Sequence, residues 1–201
     1  MKFTKMHGAG NDYIYVNCMD CNIEDPSSLA VKLSDRHIGI GSDGLVLIQP
    51  SKNADFYMRM FNADGSEGSM CGNAIRCVAK YVYDNKLTDK LNLDIETKSG
   101  IKHLKLFLDK EGLVDSAEVD MGIAYLKRCE IPMAYDDSSK EEMYINKPLY
   151  VSGKRYNVTC VSMGNPHCVI FMTDKVNKTN LDKSLDLLDL DVHGGDQIVH
   201  Q

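Results

Sequence analysis

No run of about 18 apolar residues occurs anywhere in the 201-residue chain, so no segment can cross a bilayer as a helix. An excess of positive charge is also missing. Lys and Arg number 23 against 29 Asp and Glu, for a formal net charge of −6. That balance offers no basic footprint to nucleic acid or to an anionic membrane surface, and neither partner is expected. The opening Met1-Lys2-Phe3-Thr4-Lys5-Met6-His7 has no apolar signal-peptide core and reads as an immediate first strand, so the expected location is the cytoplasm. Metal-ligand spacing is incomplete: Cys18-Met19-Asp20-Cys21 has no second C-x2-C or H-x3-5-H half to complete a zinc site, and no metal is expected. The seven cysteines are an odd number, and with no apolar core in the opening residues they speak against a secreted disulfide framework.

What is present reads as short strands broken by turns, with two helices. Lys2–His7 and Tyr13–Asn17 flank the breaker Gly8-Ala9-Gly10-Asn11-Asp12 as a hairpin-like pair. Asp25-Pro26-Ser27 is a cap followed by proline at the first helical position, opening a helix through about Ser34. Leu45–Ile48 and Phe56–Phe61 are strands, the latter ending at the turn Asn62-Ala63-Asp64-Gly65. Leu91–Thr97 and Ile101–Leu108 form a hairpin about Lys98-Ser99-Gly100, and a further strand lies near Ala117–Met121. From Cys71 onward, positions 71, 74, 75, 78, 79 and 82 make an apolar stripe at helical spacing, widened by Cys77 and Tyr81. Only Arg76, Lys80 and Asp84 carry charge on that helix, so sheet is expected on most of its sides. The fold class this implies is α+β or barrel-like rather than doubly wound.

The chain also echoes itself. Gly10-Asn11-Asp12-Tyr13-Ile14-Tyr15-Val16 reappears as Gly164-Asn165-Pro166-His167-Cys168-Val169-Ile170-Phe171, an offset of about 154 positions. Such an echo arises by coincidence between Gly-Asn turns or by duplication. On the second reading a repeated unit begins near residue 150, and the counterpart of Cys71 falls near position 225.

Cys71 stands where the turn-rich Asn62–Met70 segment enters a helix, among unpaired N–H groups and the positive end of the dipole. A thiol so placed serves as nucleophile, base or anion-site residue, or it simply begins a core helix. Gly72 lets a ligand approach the backbone, and Asn73 offers an amide that donates and accepts. Acyl transfer, redox chemistry and proton transfer all remain open on position alone.

Four motifs narrow the choice. Lys5-Met6-His7-Gly8-Ala9-Gly10-Asn11-Asp12-Tyr13, Asp35-Arg36-His37-Ile38-Gly39-Ile40-Gly41-Ser42-Asp43-Gly44, Phe61–Ser66 with Met70–Cys77, and Ser162-Met163-Gly164-Asn165-Pro166-His167-Cys168-Val169 occur in order and at fitting distances. Together they resemble the diaminopimelate epimerases over residues 1 to about 172. The resemblance implies two pseudo-symmetric domains, each a sheet rolled around a central helix, closing over the substrate. It implies interconversion of L,L- and meso-diaminopimelate, in lysine and peptidoglycan biosynthesis, by two cysteines on opposite faces of the α-carbon. No cofactor is expected, and the partners are the small-molecule substrate and a second copy in a homodimer. Helix N-termini would stabilise the planar anionic intermediate.

Carried onto this chain, Cys71 is the acid/base of the first domain, with Gly72 and Asn73 on the substrate carboxylate. Asn11, Asn62 and Asn165 match substrate-contacting asparagines, and His167 matches the histidine that supports the catalytic pair. Gly44 stands where some members carry a glutamine, which leaves the contact to the distal amino acid open. Cys77, Cys160 and Cys168 are read as packing residues. The expected domains are 1–118 and 119–201, the second incomplete. After Phe171 the resemblance implies an Asn-bearing segment, a Glu-Arg pair and a second Cys-Gly helix start, none of which matches Leu185–Gln201. The chain is therefore expected to be truncated, frame-shifted or degenerate after about residue 172, and impaired in inversion. Another racemase or epimerase of the same fold, acting on histidine or proline derivatives, is the rival within the class. A non-catalytic amino-acid-binding domain is the rival outside it.

Overall fold

The computed structural model of the chain describes residues 1–131, 133–134, 136–151, 153–164 and 166–171, together with the backbone of 198–199. Two compact units divide it, Met1–Met121 and Gly122–Gln201.

In the first unit seven strands follow one path: β1 (Thr4–Gly8), β2 (Asn11–Asn17), β3 (Gly44–Gln49), β4 (Phe56–Asn62), β6 (Asn92–Thr97), β7 (Gly100–Leu108) and β8 (Val114–Val119). A two-residue β5 (Glu67–Gly68) pairs with β4 beside that path. Helix α2 (Gly72–Asp84) buries Ala74, Ile75, Cys77, Val78, Ala79 and Val82. These share one core with Tyr13 and Tyr15 of β2, Val46 and Ile48 of β3, Met58 and Met60 of β4, Ile95 of β6, Leu104 of β7 and Val114 of β8. Six strands of one sheet can bury side chains against one helix only if the sheet curls round it. The apolar stripe beginning at Cys71 is thus the axis of an α+β unit. Cys71 itself is the N-cap, and Gly72 is the first helical residue.

The other face of β2 and β3 is covered as well. Ile14, Val16, Leu45, Leu47 and Phe61 pack with Ala30, Leu29 and Leu33 of α1 (Pro26–Ser34). Asp25 caps α1 by accepting from the Ser28 N–H at 3.0 Å, with Pro26 at the first helical position, where its missing N–H leaves nothing unpaired. Burial on both faces explains why β3 reads as an unbroken apolar run.

Adjacent strands β1–β2, β3–β4, β6–β7 and β7–β8 pair antiparallel. The β2–β3 and β4–β6 pairs are parallel, and the crossovers that parallel pairing requires contain α1 and α2. Sequence reading had the helices and strands but neither the parallel pairings nor β5, which lies inside a segment taken for turn.

The second unit is a four-stranded antiparallel sheet in the order β12-β11-β10-β9, from β9 (Lys147–Val151), β10 (Lys154–Ser162), β11 (Pro166–Ile170) and β12 (Ile198–Val199). Its core is small: Ile131, Val158, Cys160 and Ile170, with Met133, Tyr144, Leu149, Tyr156 and Cys168 partly buried around them. Among the described residues no helix is long and apolar enough to cross a membrane.

Candidate active site

Two turns of backbone bring the site of the first unit together. The β1–β2 hairpin closes through Ala9 and Gly10, both at positive φ (52° and 89°), between the paired Gly8 and Asn11. A two-residue hairpin of the mirror-image type demands that conformation, which Gly10 adopts freely and Ala9 does not. At the hairpin tip Gly8 lies against the start of α2. A Cβ at Gly8 would stand 2.9 Å from the Asn73 carbonyl oxygen, so only glycine permits the approach.

This approach sets Asn11 beside Cys71. The Cys71 Sγ–H donates to Asn11 Oδ1 at 3.4 Å, and Cys71 makes no side-chain cap of its own helix. The first intrahelical bond runs from the Ile75 N–H to the Cys71 carbonyl at 3.0 Å. The N–H groups of the first turn are left over, as at any helix start. The amide of Asn11 is fixed from its other end, where Nδ2 donates to Asp43 Oδ2 at 2.7 Å. The same carboxylate oxygen accepts the Asp12 backbone N–H at 3.0 Å. Arg36 then bridges Asp12 and Asp43, with Nη2 at 2.7 Å from Asp12 Oδ1 and 2.9 Å from Asp43 Oδ1. Lys5 adds a second cation 3.0 Å from Asp12 Oδ2. Hydrogen bonding from the Arg36 guanidinium, helped by Lys5, holds the Asp12 carboxyl well below the usual carboxylate range.

Tyr13 completes the group from beneath. Its ring is 5% exposed and its hydroxyl neighbours Asn11 and Cys71. Burial, with the Cys71 sulfur beside it, pushes that hydroxyl above the ordinary tyrosine range, so it is a neutral donor at any physiological pH.

Asn73 has its amide oxygen held by Arg76 Nη2 at 2.5 Å, which leaves the NH2 as a donor for an incoming acceptor. A Cβ at Gly72 would meet only the Met121 side chain, at 3.5 Å, an ordinary contact. Packing does not require glycine there, and space remains beside the first residue of the helix.

Asn62 ends β4 at the same end of the sheet. Tyr13 pairs with Gly44, and Gly44 with Asn62, so Asn62 lies two strands away, roughly 10 Å across the sheet. Its amide donates to Ser66 Oγ at 2.9 Å. Gly44 between them leaves no room for a side chain, since a Cβ would fall 2.1 Å from the Phe61 carbonyl oxygen.

Of the residues singled out from sequence, Asn11, Cys71, Gly72 and Asn73 thus converge, and Asn62 shares their sheet end. His167 belongs to β11 of the second unit, opposite Val161, and Asn165 lies outside the described residues. Tyr13, Asp43 and Arg76 were not singled out for a role, although all three sit inside the four motifs. Among the described residues no three His, Cys, Asp or Glu side chains gather as a metal site.

Comparison with known proteins follows the same residues. A family model described as diaminopimelate epimerase matches residues 3–127. A diaminopimelate epimerase of Agathobacter rectalis is 52% identical over 177 residues, covering 87% of this chain and 62% of the relative. One from Acetivibrio thermocellus is 56% identical over 172 residues, covering 86% of this chain and 60% of the relative. The chain therefore spans 60% to 62% of the length of these curated relatives. A hydroxyproline epimerase from Agrobacterium vitis, solved with bound trans-4-hydroxy-L-proline, superposes with a TM-score of 0.57 at 11% identity, over 92% of this chain and 56% of that one. A likeness at that identity concerns the fold.

Proposed function

The chain belongs to the diaminopimelate epimerase family, and from that premise we propose that its first unit supplies one proton-transferring face of an amino-acid epimerase site, with Cys71 as the proton carrier and diaminopimelate as the substrate. The observation that carries this reading is the placement of the Cys71 thiol at the uncapped start of α2, in a hydrogen bond to an asparagine locked by Asp43.

The chemistry follows from that geometry. Removing an α-proton from an amino acid leaves a carbanion whose charge spreads into the carboxylate, so catalysis needs donors aimed at that carboxylate. The leftover N–H groups of the first turn of α2 and the free NH2 of Asn73 supply them. A sulfur base needs only to be held at the α-carbon. The Asn11–Asp43–Arg36 chain fixes the amide that orients the thiol, and it does so before substrate arrives. Asn62 binds a polar group of the substrate farther along the sheet end. In the second unit His167 and Asn165 keep the supporting and substrate-contacting roles that the family motif implies. No cofactor takes part, the working assembly is a homodimer, and the location is the cytoplasm. The two units, Met1–Met121 and Gly122–Gln201, stand for the first and second members of a duplicated pair, whose bounds read from the sequence are 1–118 and 119–201.

Inversion requires a donor on each face of the α-carbon, and the sequence holds one Cys-Gly pair, Cys71-Gly72. The 201-residue polypeptide therefore exchanges the α-proton with solvent while inverting the centre slowly or not at all. The experiment is incubation with L,L-diaminopimelate in D2O, with α-deuterium read by mass spectrometry and stereochemistry by chiral chromatography. Exchange should exceed inversion, and Cys71→Ser should reduce exchange by about 10²-fold or more. Binding without exchange would replace this reading by that of an amino-acid-binding domain. Inversion as fast as exchange would require a second acid within the chain.

A further inference from the structure

The second unit holds three thiols that the proposed activity does not use, Cys129, Cys160 and Cys168, and the last two are neighbours. Cys160 on β10 and Cys168 on β11 face each other directly in the antiparallel register. Along such a ladder two kinds of facing pair alternate, and the backbone of β10 shows which kind this is. The Cys160 N–H donates to the Tyr144 carbonyl at 2.9 Å, and Ser162, two residues on, exchanges both of its bonds with Tyr125 at 2.9 Å. Residues of that parity turn their backbone groups away from β11. Cys160 and Cys168 are therefore a non-hydrogen-bonded pair, the kind in which Cα atoms stand about 4.5 Å apart and side chains come closest. A disulfide bridges Cα separations of roughly 4.4 to 6.8 Å, so the backbone need not move for the sulfurs to join.

The surroundings suit reversible closure. Both side chains belong to the small core of Ile131, Val158 and Ile170, with Cys160 buried and Cys168 half-buried, so the pair is reached from the Cys168 side. Interaction between the two thiols lowers Cys160 below the ordinary thiol range and, with burial, raises Cys168. The interaction favours a thiolate on one sulfur of the pair, with the other thiol facing it across the ladder.

We propose that Cys160 and Cys168 form a thiol-modification site that closes into an intrachain disulfide on reaction with a low-molecular-weight disulfide. One thiolate of the pair attacks a sulfur of the small disulfide, making a mixed disulfide and releasing one small thiol. The neighbouring sulfur gives up its proton and attacks the protein sulfur of that mixed disulfide, releasing the second small thiol. Two protein thiols are oxidised, one small disulfide is reduced, and the two protons leave on the released thiols. The bond ties β10 to β11 one residue from His167. This inference stands whether or not Cys71 carries a proton.

The test uses the intact 201-residue chain, oxidised glutathione and peptide mapping. After exposure, remaining thiols are blocked with iodoacetamide and the chain is digested with trypsin without reductant. Both cysteines lie in the tryptic peptide 156–175. That peptide should appear two hydrogen masses light and free of alkylation, and dithiothreitol should restore both alkylations. Cys168→Ser should stop at a stable glutathione adduct on Cys160, and titration across reduced-to-oxidised glutathione ratios should give a single midpoint in the wild-type chain. Full alkylation of the peptide at every ratio would overturn the proposal. So would a wild-type chain that halts at the mixed disulfide, or oxidation of Cys18 with Cys21 while Cys160 and Cys168 stay alkylated.

Discussion

The hairpin β1–β2 and the hairpin β10–β11 carry the same local text, Gly-Asn at the turn and an apolar strand after it, yet they live in different surroundings. Tyr13, Ile14, Tyr15 and Val16 of β2 are all buried, whereas of the corresponding stretch of β11 only Ile170 is. β2 sits between β1 and β3, with α2 over one face and α1 over the other. β11 has sheet neighbours but a core of four fully buried residues. The same local text thus leads into two strands, and the number of layers around each decides how far it is buried.

This contrast can be broken first in the cores. Ile75→Ala, in the axial helix, should cost about 3 to 4 kcal/mol, because a sheet wrapped round a helix cannot collapse into the cavity. Ile131→Ala, in the thinner core, should cost about 1 to 2 kcal/mol, since its surroundings can close up. Denaturant titration monitored by hydrogen exchange in each unit would read both, and equal losses would mean that the two cores are equally tight.

The turns give a finer comparison. Gly8→Ala drives a Cβ into the Asn73 carbonyl and should cost about 2 to 3 kcal/mol. It should also loosen Cys71 from Asn11. Gly164→Ala meets nothing within 4 Å and suffers only from its φ of +105°, for about 1 kcal/mol. Thermal melts of the two variants should separate accordingly; identical shifts would show that the Gly8–Asn73 approach can relax.

A smaller effect tests the electrostatics of the first hairpin. The Asp12 carboxyl is depressed in the folded chain by Arg36, so its contribution is present above the unfolded carboxylate value near ~3.9 and disappears as pH falls toward the folded value. Arg36 is 55% exposed on its side chain, so solvent screens the pair and Arg36→Ala should lower stability only slightly at pH 7. That gap should narrow steadily below about pH 4. A gap unchanged at pH 3 would assign the stabilisation to packing of the arginine stem.

Least is expected at Tyr15. Its buried hydroxyl lies beside the Cys77 thiol and has no oxygen or nitrogen partner among the described residues. Tyr15→Phe should therefore change stability by less than about 1 kcal/mol in either direction, since little hydrogen bonding is lost. A loss of 2 kcal/mol or more in a chemical melt would reveal a strong partner at that hydroxyl.

Much of this was legible along the chain. The Asp25-Pro26 start of α1, the stripe from Cys71 to Val82 and the hairpins at Gly10 and Gly100 all depend on residues within a few positions of one another. Capping, helical periodicity and positive φ act over that range, so these signals survive without tertiary context. The parallel pairs β2–β3 and β4–β6 leave no such mark, because a crossover of any content can precede them. Tyr13 and Asp43 were invisible as site residues for a related reason. Tyr13 reads as one more apolar strand residue until α2 brings Cys71 to its hydroxyl, and Asp43 acquires its meaning from Asn11, a residue 32 positions away. Cys160 and Cys168 read as two packing thiols until the register of β10 and β11 makes them partners.

The sequence by itself determined the helices, most strands, the turns and the reactive type of residue at the start of α2, since short-range sterics and hydrogen bonding write those directly. Tertiary structure alone decided that the sheet curls round α2, that Gly8 must touch Asn73, and that Asn11 and Asp43 orient the Cys71 thiol. Those outcomes depend on burying one continuous apolar surface against another, a condition on the whole unit that no single window of the chain contains.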